Sequence, residues 1–139
     1  MKREAKCCCK KTVIQVEGEP IMHCVCQCDN CKRRTGSAFG ISAYFANDQI
    51  ISKNGETCVY EKASKFGNQK RYFCKTCGTT LYWTLDKLPE ATGIAGGCFV
   101  NPLSEPTVHV TQAGYVHPWV KLPEHWDTHN EVEGVGIIT

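Results

Sequence analysis

Seven of the eleven cysteines in this chain of 139 residues fall into two groups that have the spacing of metal ligands. The compact group consists of Cys26, Cys28 and Cys31. The split group consists of Cys7, Cys9, Cys74 and Cys77. Four thiolates complete the tetrahedral shell of a structural zinc ion, whereas three protein ligands leave one position for another ligand. The spacing therefore predicts one closed, structural zinc site and one open, reactive zinc site.

The split group has the pattern of a zinc knuckle with a second ligand pair. Two residues separate Cys74 from Cys77, which lets both sulfur atoms reach one metal ion at about 2.3 Å. Gly78 follows them and suits the left-handed turn that points amide groups at the sulfurs. Cys7 and Cys9 are an i, i+2 pair, whose side chains face the same way in an extended chain. We therefore expect this zinc to join the first strand to a later hairpin.

The compact group supplies three ligands, so the fourth ligand of a bound zinc ion has to be identified separately. Cys24 and Cys98 are candidates for a fourth protein ligand, and His23 is a weaker candidate, but an open site is the favoured interpretation. Zinc held by three thiolates carries one net negative charge and favours a soft fourth ligand, such as a thiol, which ionises when it is bound. The predicted chemistry is the addition of a small thiol, of which glutathione is the abundant one, to an aldehyde carbon.

Length, charge and the N-terminus limit the class of protein. The length suits one domain over residues 1–139, and the formal charge of +2 is not that of a protein that coats nucleic acid. No apolar run approaches the ~18 residues of a membrane span. Residues 1–6 are mostly charged and lead directly into the cysteines, so we expect a cytoplasmic protein with reduced thiols rather than a disulfide scaffold.

Basic residues lie close in sequence to the predicted ligands. They include Lys32, Arg33, Arg34 and Arg71. Two interpretations are open: these side chains balance the charge of the thiolates, which we favour, or they bind an anionic substrate.

The elements that position these residues are predicted to be short strands. Helical periodicity is scarce, whereas residues 12–16 alternate apolar and polar side chains. Turn signals recur at intervals of about 8–12 residues. Asn54 and Gly55 form a hairpin signal between two short apolar segments. The tail after Trp126 is rich in Gly and Glu, and we expect it to be loosely held. The pattern predicts an all-β fold.

These motifs, in this order, resemble the glutathione-dependent formaldehyde-activating enzyme family, which includes centromere protein V. The early CxC at Cys7 and Cys9 precedes an alternating strand, and residues 26–36 (CQCDNCKRRTG) resemble the CxCxxC segment of the family. Tyr60, Ser64 and residues 71–81 (RYFCKTCGTTL) are similar to its Y…S…RxFCxxCGxxL segment. Residues 106–109 and Trp119 are similar to its C-terminal end. The resemblance covers nearly the whole chain.

The resemblance implies a β-tent of several small antiparallel sheets stapled by zinc. It implies a structural zinc on the split group and a second, labile, catalytic zinc on the compact group. The implied activity is that of a carbon–sulfur lyase, in which formaldehyde and glutathione give S-hydroxymethylglutathione. Lys32, Arg33, Arg34 and Arg71 are then candidates to bind the glutathione carboxylates. The alternative is a non-catalytic zinc module that binds protein or nucleic acid.

The chain departs from the family pattern at two places. Lys10 stands where the family usually has glycine after the early CxC, and residues 98–101 (CFVN) replace a small-Leu-Asp segment. The predicted zinc ligands are all retained.

Overall fold

The computed structural model describes residues 1–64, 67–112 and 114–130, and in these ranges the chain is mostly β. Its strands are β1 (Lys2–Lys6), β2 (Val13–Glu17), β3 (Met22–Cys26), β4 (Gly40–Ala46), β5 (Ile50–Asn54), β6 (Thr57–Ser64), β7 (Gly67–Cys74), β8 (Thr80–Leu85), β9 (Leu88–Ala95), β10 (Val108–Thr111) and β11 (Asp127–Asn130). The helical segments are α1 (Asp29–Thr35) and two 3₁₀ helices, Asn47–Gln49 and Gly96–Cys98. The all-β prediction is confirmed.

The chain divides into two compact units. The first contains residues 1–22 and 43–103, and the second contains residues 23–42 and 104–139. The organisation of residues 1–139 as one domain stays a prediction. Among the described residues, no helix has the length and apolar character needed to cross a membrane.

The first unit contains a three-stranded antiparallel sheet in the order β1-β2-β5. The alternation that the sequence shows along β2 buries Ile14 and Val16, as expected for a strand with one face on a core. These two side chains pack with Phe45, Leu81 and Ile94 in one apolar cluster. This core supports the strands that carry the split cysteine group.

The remaining strands of the first unit run in the order β9-β8-β7-β6, with antiparallel pairing throughout. Trp83 on β8 is buried, and its indole Nε1 donates a hydrogen bond of 2.9 Å to the hydroxyl of Tyr44. The indole covers Gly93, where a Cβ atom would lie 2.2 Å from Nε1. The ladder places the end of β7, and with it the CxxC pair, at a fixed register.

The predicted hairpin at Asn54 and Gly55 is wrong. β5 pairs with β2, and β6 pairs with β7, so the two segments beside this turn belong to different sheets. Gly55 has a φ of 97°, and a Cβ atom there would lie 2.2 Å from the carbonyl oxygen of Lys11. Glycine is therefore needed here because two backbone segments approach each other closely. A two-residue hairpin turn also favours glycine, but because it needs a positive φ.

The second unit combines α1 with β3, β10 and β11. β10 pairs in parallel with both β3 and β11, which differs from the antiparallel pairing implied for the sheets. Parallel neighbours need a long connection, and residues 112–126 supply one between β10 and β11. Residues 127–130 form β11, although the sequence predicted a loosely held segment here. Residues 131–139, the rest of that segment, lie outside the described ranges.

Candidate metal centres

The split cysteine group is gathered into one cluster, called here the four-thiol cluster (Cys7, Cys9, Cys74 and Cys77). Its four sulfur atoms all lie within 4.8 Å of one another, and the Cys7–Cys9 and Cys9–Cys74 sulfur pairs are each 3.6 Å apart. A tetrahedral zinc ion with bonds of about 2.3 Å separates its sulfur ligands by about 3.8 Å. The sulfurs are therefore already spaced as the ligands of one zinc ion.

Two tight turns bring these thiols together. Cys7 follows β1, and the amide of Thr12 donates to its sulfur at 3.3 Å. Lys10 lies in this turn with a φ of 68°, a left-handed conformation in which glycine is favoured. The second turn contains Gly78 with a φ of 79°, and its amide donates to the carbonyl of Cys74 at 2.8 Å. The lysine that replaces the family's usual glycine keeps the left-handed backbone.

Thr79 joins the two turns and was not identified from the sequence. Its hydroxyl accepts a hydrogen bond from the amide of Cys8 at 3.1 Å and lies 3.2 Å from the sulfur of Cys77. Such contacts orient and stabilise metal-bound thiolates. The position two residues after a CxxC is the sequence signal that would have found it.

Hydrogen bonds shift the pKa values of the four thiols in opposite directions. The hydroxyl and then the amide of Thr79 lower the pKa of Cys77 to about 5. The side chain of Thr12, followed by two backbone amides, lowers the pKa of Cys74 to about 7. A backbone amide lowers the pKa of Cys9, but burial and the neighbouring thiols raise it more, to about 12. The CxxC pair therefore supplies thiolates most readily.

The compact group forms a second cluster, called here the three-thiol cluster (Cys26, Cys28 and Cys31). Its sulfur atoms also lie within 4.8 Å of one another, and all three residues are at most 2% exposed. Cys26 ends β3, whereas Cys28 is the N-cap of α1, with its sulfur accepting the amide of Cys31 at 3.3 Å. Val110 on β10 packs against the cluster. The end of one strand and the start of one helix thus bring three thiols together in apolar surroundings.

None of the fourth-ligand candidates belongs to the group of close ligand atoms that the described residues form. Cys24 is buried on β3, and burial raises its pKa to about 12. Cys98 ends a 3₁₀ helix of the first unit and packs against the core of that unit. His23 lies at the start of β3. Among the described residues, the cluster of close ligand atoms contains three thiols, and this arrangement supports the open interpretation.

The three thiols share their protons unequally. Hydrogen bonds from Cys26 and Cys28, and then the guanidinium of Arg34, lower the pKa of Cys31 well below its usual value. Hydrogen bonds to the other two sulfurs, together with burial, raise the pKa of Cys26. A hydrogen bond with Cys26 lowers the pKa of Cys28, but one with Cys31 and burial raise it more. Of the three thiols, Cys31 is therefore the one whose surroundings most favour the thiolate.

The basic residues near the clusters have three different environments. Lys32 and Arg33 line a pocket of ≈ 560 Å³ in the second unit, together with Tyr115, His117 and Trp119. The pocket is the environment that an anionic ligand would meet, and its walls are partly aromatic.

Both of these cations already have neighbours. Lys32 donates to the carbonyl oxygen of Tyr115, and its ammonium lies 5.5 Å from the centroid of that ring. Arg33 lies 3.5 Å from a carboxylate oxygen of Asp29, and its side chain is 79% exposed. An exposed ion pair of this kind contributes little to stability, so Arg33 can exchange partners readily.

Arg71 and Arg34 lie elsewhere. Arg71 is buried on β7 of the first unit, where its Nε donates to Gln69 at 3.1 Å and its guanidinium lies 5.9 Å from the ring centroid of Tyr60. Arg34 belongs to α1, and its Nη2 atom is buried. The sequence grouped these arginines with Lys32 and Arg33, but the structure surrounds each with different partners.

The family model of the glutathione-dependent formaldehyde-activating enzyme (GFA) matches residues 2–116, which include all seven clustered cysteines. This chain belongs to the GFA family. The resemblance noted from the motifs is thereby confirmed, and both cysteine clusters of this GFA-family protein are able to hold metal.

One solved structure similar to this GFA-family protein is a crystal structure of a Rhodobacter sphaeroides protein, determined as a structural-genomics target. The two share 26% sequence identity with a TM-score of 0.57, over 76% of this chain and 97% of the other. A search of curated proteins gave no match. The structural similarity supports the fold.

Proposed function

We propose that this protein is a zinc-dependent enzyme of the carbon–sulfur lyase type, which joins a small thiol such as glutathione to a small aldehyde. The expected reaction is the formation of S-hydroxymethylglutathione from formaldehyde. The observation that carries the proposal is a buried cluster of three thiols, in a member of the GFA family, to which the described residues add no fourth close ligand.

The donor set of this cluster fits zinc. Three soft sulfur ligands within 4.8 Å of one another suit a borderline-soft ion that takes four ligands. When bound, zinc supplies a position at which a fourth, exogenous thiol loses its proton near neutral pH. The four-thiol cluster offers no such position, and we assign it a structural role.

The residues of the chain hold and shield this position. The cap that Cys28 places on α1 fixes two of the three sulfurs relative to each other, at a contact of 3.3 Å between the Cys28 sulfur and the Cys31 amide. Burial of all three thiols, with Val110 against them, keeps bulk water away from a reacting aldehyde. The cluster thus combines fixed ligands with a dry environment.

Lys32 and Arg33 are proposed to bind the carboxylates of the thiol substrate. They follow Cys31 on α1 but point to other sides of the helix, where they line the pocket with Trp119. They would therefore contact the end of an extended tripeptide that lies away from its thiol. Arg71, a further candidate from the sequence, has its contacts with Gln69 and Tyr60, which favour a structural role.

The test is the rate of adduct formation above the spontaneous rate. Exchange between free formaldehyde and its glutathione adduct is measured by NMR at equilibrium, with and without the zinc-loaded protein. We expect acceleration by the wild type and by Cys58→Ser, which removes a thiol outside both clusters, and the spontaneous rate with Cys28→Ser. Equal exchange rates with and without wild-type protein would contradict the proposal.

The alternative is a non-catalytic module that binds protein or nucleic acid, and the basic residues of α1 do not favour nucleic acid. The sequence offers three consecutive cations, but the buried Nη2 atom of Arg34 shows that they do not form one exposed basic surface. Retention on single-stranded DNA at physiological salt, with a strong salt dependence, would favour this alternative.

A further inference from the structure

The basic run after the third cysteine is divided by the geometry of α1. A residue three positions after another lies on the same helical face, so Arg34 shares a face with Cys31. Lys32 and Arg33 turn to the pocket instead. One cation of the three is thus directed to the thiols, and two are directed to the pocket.

Gly40 provides the space that the guanidinium of Arg34 occupies. A Cβ atom at this position would lie 2.5 Å from Nη2 of Arg34 and 3.2 Å from Cβ of Cys31. The first distance is shorter than any ordinary contact, and the guanidinium therefore crosses directly over the glycine. The same glycine touches the ligand residue and the arginine, so the guanidinium lies beside the third thiol.

The charge of the three-thiol cluster explains why a cation is needed there. Three thiolates and a zinc ion leave one net negative charge, and an anionic fourth ligand would add a second. A buried, uncompensated charge is costly, whereas a guanidinium can pair with it through several N–H donors.

We propose that Arg34 is a positioning residue of the three-thiol cluster, whose guanidinium, seated over Gly40, neutralises the cluster and makes it selective for an anionic fourth ligand such as a thiolate. This rests on the proposed function only for the statement that the fourth ligand is a thiol. The dependence of metal binding on Arg34 stands without any reaction.

The test is cobalt binding to the whole, reduced chain, because thiolate-to-cobalt charge-transfer absorption reports each cluster without turnover. We expect the wild type to take up two equivalents. Arg34→Gln should keep the affinity of the four-thiol cluster and weaken the second equivalent at least tenfold. Arg33→Gln, on the same helix but facing the pocket, should stay within twofold of the wild type.

Ligand addition then tests selectivity. 2-Mercaptoethanol, which supplies a thiolate, and imidazole, which is neutral, are titrated into the cobalt-loaded proteins. Arg34→Gln should weaken the binding of the thiol at the three-thiol cluster at least fivefold more than that of imidazole. Arg34→Lys, which keeps the charge but not the planar donors, should restore part of the thiol preference.

Gly40→Ala gives an independent test in case Arg34→Gln fails to fold, which loss of both cobalt equivalents would reveal. It keeps the arginine and fills its space, so the second equivalent should again weaken selectively. Wild-type affinity in Gly40→Ala or Arg34→Gln, an equal loss in Arg33→Gln, or a single equivalent in the wild type would each overturn the proposal. Arg34-dependent binding of two equivalents without faster adduct formation would instead contradict only the proposed function.

Discussion

The two cysteine clusters differ in how far apart their ligands lie along the chain and in how much of each is exposed. The four-thiol cluster joins residues 7–9 to residues 74–77, and Cys77 is exposed while Cys9 is half-buried. The three-thiol cluster comes from residues 26–31, and each of its thiols is buried. One cluster is assembled by the fold, and the other by a single turn of the chain.

The separation of the ligands along the chain determines how much a bound metal ion would contribute to stability. A metal ion on the four-thiol cluster closes a long loop of polypeptide, so its binding free energy is coupled to the folding of the first unit. A metal ion on the three-thiol cluster orders little beyond α1 and the end of β3. Separation along the sequence therefore favours the structural role proposed for the four-thiol cluster, and the local ligands of the three-thiol cluster fit the reactive role proposed for it.

Removal of a ligand from the four-thiol cluster should have the largest effect. Cys74 is 1% exposed at the end of β7. We expect Cys74→Ser to lose one zinc equivalent and several kcal/mol of unfolding free energy, since about 10–16 kcal/mol of zinc binding is folding free energy in zinc-finger peptides. Thermal unfolding followed by circular dichroism measures this, with Cys58→Ser as the control. A melting temperature equal to that of the control would contradict the structural role proposed for the four-thiol cluster.

Removal of a ligand from the three-thiol cluster should lower the free energy of unfolding by less. It should also show how much the N-cap of α1 contributes. Cys28→Ser and Cys28→Ala both remove the thiol, but serine also caps helices well. We expect both variants to lose the second metal equivalent, and Cys28→Ala to unfold with about 1 kcal/mol less free energy than Cys28→Ser. Urea unfolding of the pair provides the measurement. Equal stabilities would mean that the cap at Cys28 contributes nothing.

The strained turn of the four-thiol cluster offers a stabilising change. Lys10 has a φ of 68°, which costs a residue with a side chain about 1–2 kcal/mol and costs glycine little. Part of the gain is offset by the greater freedom of glycine in the unfolded chain, so we expect Lys10→Gly to raise the unfolding free energy by about 0.5–1 kcal/mol. Lys11→Gly is the matched control and should not stabilise. A loss of stability in Lys10→Gly would contradict the account of this turn.

Protonation of one histidine in the second unit should produce the smallest effect. Burial, and then the charge of His129, lowers the pKa of His109 on β10. The folded state therefore favours neutral His109, so its contribution is complete above the unfolded pKa of about 6.5 and is lost as the pH falls below that value. Amide-exchange protection of β10 should fall from pH 7 to pH 5 more in the wild type than in His109→Gln. An equal fall in the two proteins would exclude His109 as its cause.

Metal-ligand spacing was the part of the site that the sequence predicted best. Ligand pairs such as CxC and CxxC are fixed by local chain geometry, and the structure gathers the same seven thiols into the same two groups. The roles assigned to these groups remain predictions. The contact of Thr79 with Cys8 needed the fold, because it joins residues 71 positions apart in sequence, whereas its contact with Cys77 is local.

The helix at the three-thiol cluster was not predicted, and this hid the role of Arg34. α1 has seven residues, too few for an apolar repeat to be visible, and its N-cap is a cysteine rather than one of the preferred residues. Without the helix, Lys32, Arg33 and Arg34 were equivalent in the sequence. The helical phase separates them.

The wrong hairpin and the unexpected strand have different causes. Asn54 and Gly55 fit a two-residue turn, but sheet pairing is decided by contacts with β2 and β7, which local sequence does not encode. β11 (Asp127–Asn130) has exposed side chains throughout, so no apolar alternation marks it as a strand. Its pairing with β10 rests on backbone hydrogen bonding and on two polar side-chain contacts, Thr111 with Asn130 at 2.6 Å and His109 with Thr128 at 2.7 Å.

The order in which the ligands lie along the chain also sets the order in which they leave the ribosome. The three-thiol cluster is complete once Cys31 has been made, whereas the four-thiol cluster must wait for Cys77. At about 5–20 residues per second, residues 31 to 77 take roughly 2–9 s to synthesise. The nascent chain therefore meets the cell's metal pool first at the cluster whose ligands are local, before the cluster that joins its distant strands exists.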